Sequence, residues 1–201
     1  MSVSAYPTKL TRTSQILDGN ILDNQNLPDI GITEWCGVTN SVEQTEMIAA
    51  TIARMAHKGD VVGLVGELGA GKTQFVRGLA LGLGINPSCI SSPTFVIHHE
   101  YENADDRPVL VHIDAYRLQG PDELESIGWQ PEGGELAADA VVAIEWADRV
   151  ASLLGNSTLQ VDLEHVAEQT RRIKITAKGY WQSRMESLSE ALTVYKEVSQ
   201  Q

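Results

Sequence analysis

Apolar residues recur along this chain with two periods, three-to-four and two. Behind the capping-box spacing Ser41-Val42-Glu43-Gln44, the residues Ile48, Ile52, Met55 and Ala56 fall on one helical face. Lys58-Gly59-Asp60 ends that helix and turns into the apolar run Val61 to Val65, which reads as a buried strand. A second amphipathic helix carries Phe75, Val76, Leu79, Ala80 and Leu83 and stops at Gly84. Thr94 to Tyr101 and Val109 to Asp114 are strand-like, and the polar turn 103–107 between them predicts antiparallel pairing. A short helix is expected over 122–126, a strand over Ala140 to Trp146 and a helix over Ala147 to Leu154. Thr158 to Leu163 and Arg171 to Thr176 form a second antiparallel pair. Trp181, Met185, Leu188, Leu192 and Tyr195 make a final helical stripe, which is expected to dock on the core. These elements predict an α/β fold, a single domain whose mixed parallel and antiparallel sheet is flanked by helices, with its ligand at the carboxyl ends of the strands.

Residues 1–35 break the pattern. Ser, Thr, Asn and Asp dominate there, punctuated by Pro7, Pro28 and Gly31, and no period is sustained. The expected organisation is a flexible extension over 1–35, a main domain over 36–178 and an amphipathic helix over 179–201. No apolar stretch reaches the ~20 residues that span a bilayer. Two cysteines, Cys36 and Cys89, are too few for a disulfide framework, so the expected setting is a reducing cytoplasm. The net charge of −12 argues against direct binding of DNA or RNA over a broad surface, because such binding relies on cationic groups that displace counterions.

The candidate chemistry lies directly behind Val61 to Val65. Gly66-Glu67-Leu68-Gly69-Ala70-Gly71-Lys72-Thr73 spells the phosphate-binding loop G-x-x-x-x-G-K-[ST] between a strand and a helix. Its glycines permit a tight turn and close approach of backbone N–H groups to phosphates. Lys72 supplies a point charge to the β- and γ-phosphates, and the Thr73 hydroxyl suits Mg²⁺. This loop predicts binding of a nucleoside triphosphate. Turnover also needs an organised metal and a positioned nucleophile. Two apolar runs end in acids: Asp114 after Val109 to Ile113, and Glu145 after Val141 to Ile144. Each acid suits three roles: direct metal ligand, ligand through water, or base. Ser91-Ser92-Pro93-Thr94-Phe95 stands where a switch segment would touch the γ-phosphate, through Thr94 or Ser92. His98, His99 and His112 lack the Cys or acid spacing of a metal site and read as structural or solvated.

Taken together, Gly66 to Thr73, Ser-Pro-Thr-Phe at 92–95, His-Ile-Asp-Ala-Tyr-Arg-Leu at 112–118 and Ile-Glu-Trp at 144–146 resemble the bacterial tRNA threonylcarbamoyladenosine biosynthesis ATPases, the TsaE (YjeE) family. The resemblance covers roughly residues 36–178. It implies a small P-loop domain with slow ATPase activity, ATP and Mg²⁺ as cofactors, and TsaB and TsaD as partners. Those partners install threonylcarbamoyl on an adenosine next to the tRNA anticodon, so tRNA is reached indirectly. By the same resemblance Thr73 and Glu145 organise Mg²⁺, Asp114 sits at the hydrolytic centre and Thr94 in the switch. Trp146 neighbours the metal acid, Arg171 lies near the nucleotide, and Asn40 stands at the helix entry that closes over the base. The sequence departs from the family pattern at Glu67, where aspartate is usual, and at Ala147, where proline is common.

Three other readings fit a P-loop. A small-molecule kinase usually brings a cluster of arginines over the phosphates, whereas Arg107, Arg117 and Arg149 are scattered. A GTPase needs an Asn-Lys-x-Asp motif after a strand, which is absent. A nucleotide-gated adaptor predicts partner association that survives loss of Glu145 or Asp114.

Overall fold

The computed structural model describes residues 15–17, 20–22, 33–93, 98–102, 109–118, 123–124, 128–129, 138–155 and 157–196. The chain divides into two units, 1–30 and 31–201. In the first, strands β1 (Gln15–Leu17) and β2 (Asn20–Leu22) pair antiparallel, with Ile16 opposite Ile21.

The second unit is built on a seven-stranded sheet. In chain order its strands are β3 (Glu34–Thr39), β4 (Val61–Val65), β5 (His98–Tyr101), β6 (Val109–Asp114), β7 (Ala140–Glu145), β8 (Thr158–His165) and β9 (Arg171–Ala177). Their spatial order is β3-β9-β8-β4-β7-β6-β5. The Val- and Ile-rich strands β4, β6 and β7 lie together and run parallel, and β8 joins β4 in parallel. The two predicted hairpins, β5/β6 and β8/β9, pair antiparallel, as does β3 with β9. The sheet is therefore mixed, as the pattern predicts. Residues 94–97 of the first predicted strand lie outside the described residues.

Strand periodicity sorts the core onto two faces. Val62, Leu64, Val141, Ala143, Val161 and Ile175 point to one, against helices α1 (Val42–Met55) and α2 (Lys72–Gly82). Val61, Val111, Ile113, Val142 and Ile144 point to the other, against Trp129, Val150 and Leu153. Helix α1 starts as its capping spacing predicts: Ser41 Oγ accepts from Gln44 N at 3.2 Å, and Gln44 Oε1 accepts from Asn40 N at 2.7 Å. Helices α1 and α2 pack backbone to backbone. A Cβ on Gly78 would stand 2.3 Å from Glu46 O, and one on Gly82 would stand 2.4 Å from Ala50 O.

Three local expectations are corrected. The sheet begins at Glu34, inside the stretch read as an extension, and β3 was not legible as a strand. The segment Ala147–Leu153 is 3₁₀ rather than α-helical and is broken at Val150 (φ −122°, ψ 20°). The final stripe is not one helix. A 3₁₀ turn (Gly179–Arg184) precedes α3 (Met185–Ala191), and a further 3₁₀ turn (Thr193–Tyr195) follows it. At the first junction Arg184 leaves ideal helix geometry (φ −100°, ψ −7°), and its guanidinium grips Asp60 bidentately at 2.5 and 2.9 Å. The stripe nevertheless docks as expected, with Trp181, Met185, Leu188 and Leu192 fully buried. Of the short helix expected over 122–126, Glu123 and Leu124 are described, and both are helical. Among the described residues no helix is long and apolar enough to cross a membrane.

Candidate nucleotide site

The loop leaves the carboxyl end of β4 in the middle of the sheet. Gly66 (φ 152°) passes so close to β8 that a Cβ there would meet Leu163 O at 2.4 Å. Gly71 (φ 105°) is the N-cap of α2 and offers no side-chain cap, so the first-turn N–H groups of α2 are left for an anion. Leu68, at the tip, is 87% exposed, and Ala70 is buried.

Lys72 folds back over the loop. Its Nζ donates to Gly66 O at 2.6 Å and Glu67 O at 3.0 Å, and lies 3.6 Å from the centre of the Trp146 ring. Burial lowers the pKa of this ammonium below the ordinary lysine value, while the carboxylates of Glu145, Asp114, Asp148 and Glu67 oppose the shift. Desolvation wins.

Strand register brings the two predicted acids to the same edge. Glu145 pairs with Leu64 of β4 on one side and with Asp114 of β6 on the other. Glu145 Oε1 accepts from Thr73 Oγ1 at 2.8 Å and is 2.9 Å from His112 Nε2. Asp114 Oδ2 accepts from Ser92 Oγ at 2.9 Å, and its Oδ1 accepts from Tyr116 N at 3.0 Å, capping the 3₁₀ turn Ala115–Arg117. A threonine hydroxyl beside carboxylate oxygens is the hard oxygen donor set that Mg²⁺ takes when phosphates and waters complete its shell. The residues present therefore fit that ion.

Trp146 has φ 58° and ψ 42°, the left-handed region, and is the one non-glycine among the described residues with positive φ. Such a conformation is costly for a bulky residue, and here it turns the indole over Lys72 and against Tyr116, with ring centroids 4.9 Å apart. Ala147 is buried and opens the following 3₁₀ segment.

Arg171 braces the loop from β9. Its Nε donates to Ala70 O at 2.9 Å, and its Nη1 donates to Ala167 O at 3.0 Å and Thr170 O at 3.1 Å. Asn40 is exposed at the entry to α1, where its Oδ1 accepts from Thr170 Oγ1 at 3.4 Å. A shallow open depression beside the loop is lined by Ser41, Thr45, Gly71, Gln74, Gln169 and Arg171, among others. Thr94 lies outside the described residues. Sequence reasoning missed His112, read as structural, although its place in β6 two residues before Asp114 puts it on the same face as that acid. It also missed the contact of Ser92 with Asp114.

The family model described as "Threonylcarbamoyl adenosine biosynthesis protein TsaE" matches residues 39–173. The tRNA threonylcarbamoyladenosine biosynthesis protein TsaE of Bacillus subtilis is 37% identical over 161 residues, 80% of this chain and 95% of that protein. The protein of the same name from Treponema pallidum is 39% identical over 138 residues, 69% of this chain and 97% of its own length. A crystal structure of Bacillus subtilis YdiB superposes with a TM-score of 0.59 at 34% identity, covering 80% of this chain and 95% of that one. The matched span holds the loop, both strand-end acids, Trp146 and Arg171, and the chain belongs to the TsaE family of threonylcarbamoyl adenosine biosynthesis proteins.

Proposed function

We infer that this chain is a Mg²⁺-dependent ATPase that works with TsaB and TsaD in the threonylcarbamoyl modification of adenosine next to the tRNA anticodon. The observation that carries the reading is the junction of loop and sheet edge. Lys72, Thr73 and Glu145 come together where a phosphate-binding loop opens helix α2. The loop amides of Gly66 to Thr73 and the Lys72 ammonium bind the phosphates. Thr73 and Glu145 would hold Mg²⁺, which when bound would offset negative charge on the phosphates. Asp114 and Thr94 serve the hydrolytic centre. Arg171 fixes the loop backbone, and Asn40, at the entry to α1, would belong to the segment that closes over the base. With a net charge of −12, the chain leaves the holding of tRNA to its partners in the cytoplasm.

ATP hydrolysis measured with and without Mg²⁺, and with and without purified TsaB and TsaD, tests this reading. Glu145→Gln keeps an acceptor for Thr73 and His112, so the fold is expected to survive. Its Mg²⁺-dependent turnover should fall at least about tenfold, 1.4 kcal/mol or more of transition-state stabilisation. Turnover indifferent to Mg²⁺ and to this substitution would remove the assignment. Phosphate transfer to a metabolite, with no association with TsaB and TsaD, would replace it with a kinase.

A further inference from the structure

We propose that His112 is a positioning residue for Glu145, donating from Nε2 to Oε1 and thereby fixing the carboxylate that meets Thr73. The proposal rests on the reading of Glu145 as a Mg²⁺ ligand. His112 is completely buried in β6, between the apolar Val111 and Ile113, and its Nε2 lies 2.9 Å from Glu145 Oε1. An ionised carboxylate oxygen only accepts, so the proton in this contact belongs to Nε2. The other ring nitrogen, Nδ1, is buried with no hydrogen-bond partner among the described residues. That orphaned nitrogen has a cost an apolar residue would avoid, and the contact at Nε2 is what the ring offers against it.

What Nε2 does follows from the carboxylate. The terminal torsion of a glutamate is broad, so a single donor fixes it poorly. Thr73 and His112 both address the same oxygen, Oε1, from different elements, the start of α2 and the middle of β6. The Thr73 hydroxyl has a further task toward the metal, which would take a lone pair of its oxygen and leave its proton donated to Oε1. His112 has no such task, and its strand is held by β7 on one side and β5 on the other. It therefore supplies a second, rigidly held donor that fixes the orientation of Glu145 together with Thr73. Outer-shell donors of this kind tune the metal affinity of the ligand they orient.

The substitutions His112→Gln and His112→Asn separate this role from simple packing. A glutamine amide reaches as far as Nε2 does, whereas an asparagine amide reaches only the level of the orphaned Nδ1. The measurement is the Mg²⁺ concentration that gives half of the metal-dependent tightening of a fluorescent ATP analogue, which reads binding rather than turnover. His112→Asn and His112→Leu should raise it about ten- to a hundredfold, with Mg²⁺-free affinity for the analogue unchanged and His112→Gln close to wild type. A long-range ¹H–¹⁵N spectrum of the imidazoles, recorded without nucleotide, should find the His112 proton on Nε2. Wild-type Mg²⁺ requirement in folded His112→Asn or His112→Leu overturns the proposal. So does equal loss in the Gln and Asn variants, a comparison that decides the matter even if the leucine variant does not fold, and so does a proton on Nδ1. If wild type itself shows no Mg²⁺-dependent tightening while the spectrum keeps the proton on Nε2, the contact stands. The reading of Glu145 as a metal ligand then fails, and the positioning role fails with it.

Discussion

Lys72 carries a conflict between stability and function. The residue is 5% exposed, and burial of its ammonium outweighs four carboxylates in setting the pKa below 10.5. The folded state therefore binds fewer protons at this group than the unfolded state between the folded and the unfolded value. Stability attributable to the group rises with pH through that window. The cost of the buried charge is present at neutral pH and disappears as pH approaches 10.5. Lys72→Met removes the charge and keeps most of the volume, but also leaves Gly66 O and Glu67 O without their donor. The last effect does not titrate. The melting-temperature difference, variant minus wild type, should therefore fall as pH rises from 7 toward 10.5, with nucleotide absent. A difference constant across that range would show that Lys72 is not held in a desolvating site. On the proposed reading the same variant should also lose affinity for a triphosphate, since it removes the point charge assigned to the phosphates.

The elements show which parts of the pattern a sequence discloses. Runs such as Val61 to Val65 and Ala140 to Glu145 are legible because both faces are buried and β-branched residues fill them. The acids that end β6 and β7 are legible for the same reason, as polar breaks in apolar runs. Strand β3 is not, because its alternation of Trp35, Gly37 and Thr39 passes through a glycine. That glycine is required by a partner distant in sequence: a Cβ on Gly37 would stand 2.3 Å from Tyr195 O. The two helix glycines have the same character. Read locally, Gly78 weakens α2, and Gly78→Ala should gain up to about 1 kcal/mol in helix propensity. In the fold the new methyl carbon would stand 2.3 Å from a backbone carbonyl of α1, which cannot rotate away. Overpacking of this kind costs about 1–3 kcal/mol, so the clash prevails. Chemical denaturation of Gly78→Ala should show a lower midpoint at unchanged slope, and a higher midpoint would mean that α1 and α2 are not in backbone contact. His112 was obscured for a related reason. A histidine in a strand has no signature until the register puts it against Glu145.

At the scale of the whole molecule, the chain beyond the family match completes the core that carries the site. The matched span ends at residue 173, yet Trp181, Met185, Leu188 and Leu192 are fully buried on the α1–α2 face, and Lys196 bridges to Gly37 on the edge strand β3. Burying four such side chains contributes about 6–12 kcal/mol as an upper figure, comparable to the whole net stability of a domain, about 5–15 kcal/mol. Arg184 adds a lock. Its ion pair with Asp60 is largely buried, Asp60 Oδ2 also accepts from His57 N at 2.6 Å, and the guanidinium stacks 3.8 Å over Trp181. This joins the C-terminal segment to the turn that launches β4 and, five residues later, the phosphate loop. Removing residues 179–201 should leave a chain that retains every loop residue and both acids but does not hold a cooperative fold at 37 °C. Arg184→Ala strands the Asp60 carboxylate and should cost about 3–5 kcal/mol. Thermal unfolding followed by near-ultraviolet circular dichroism distinguishes the cases. A truncated chain that melted as sharply and as high as the full one would show that the segment is an ornament, and that the sheet and its two helices suffice to hold Lys72, Thr73 and Glu145 together.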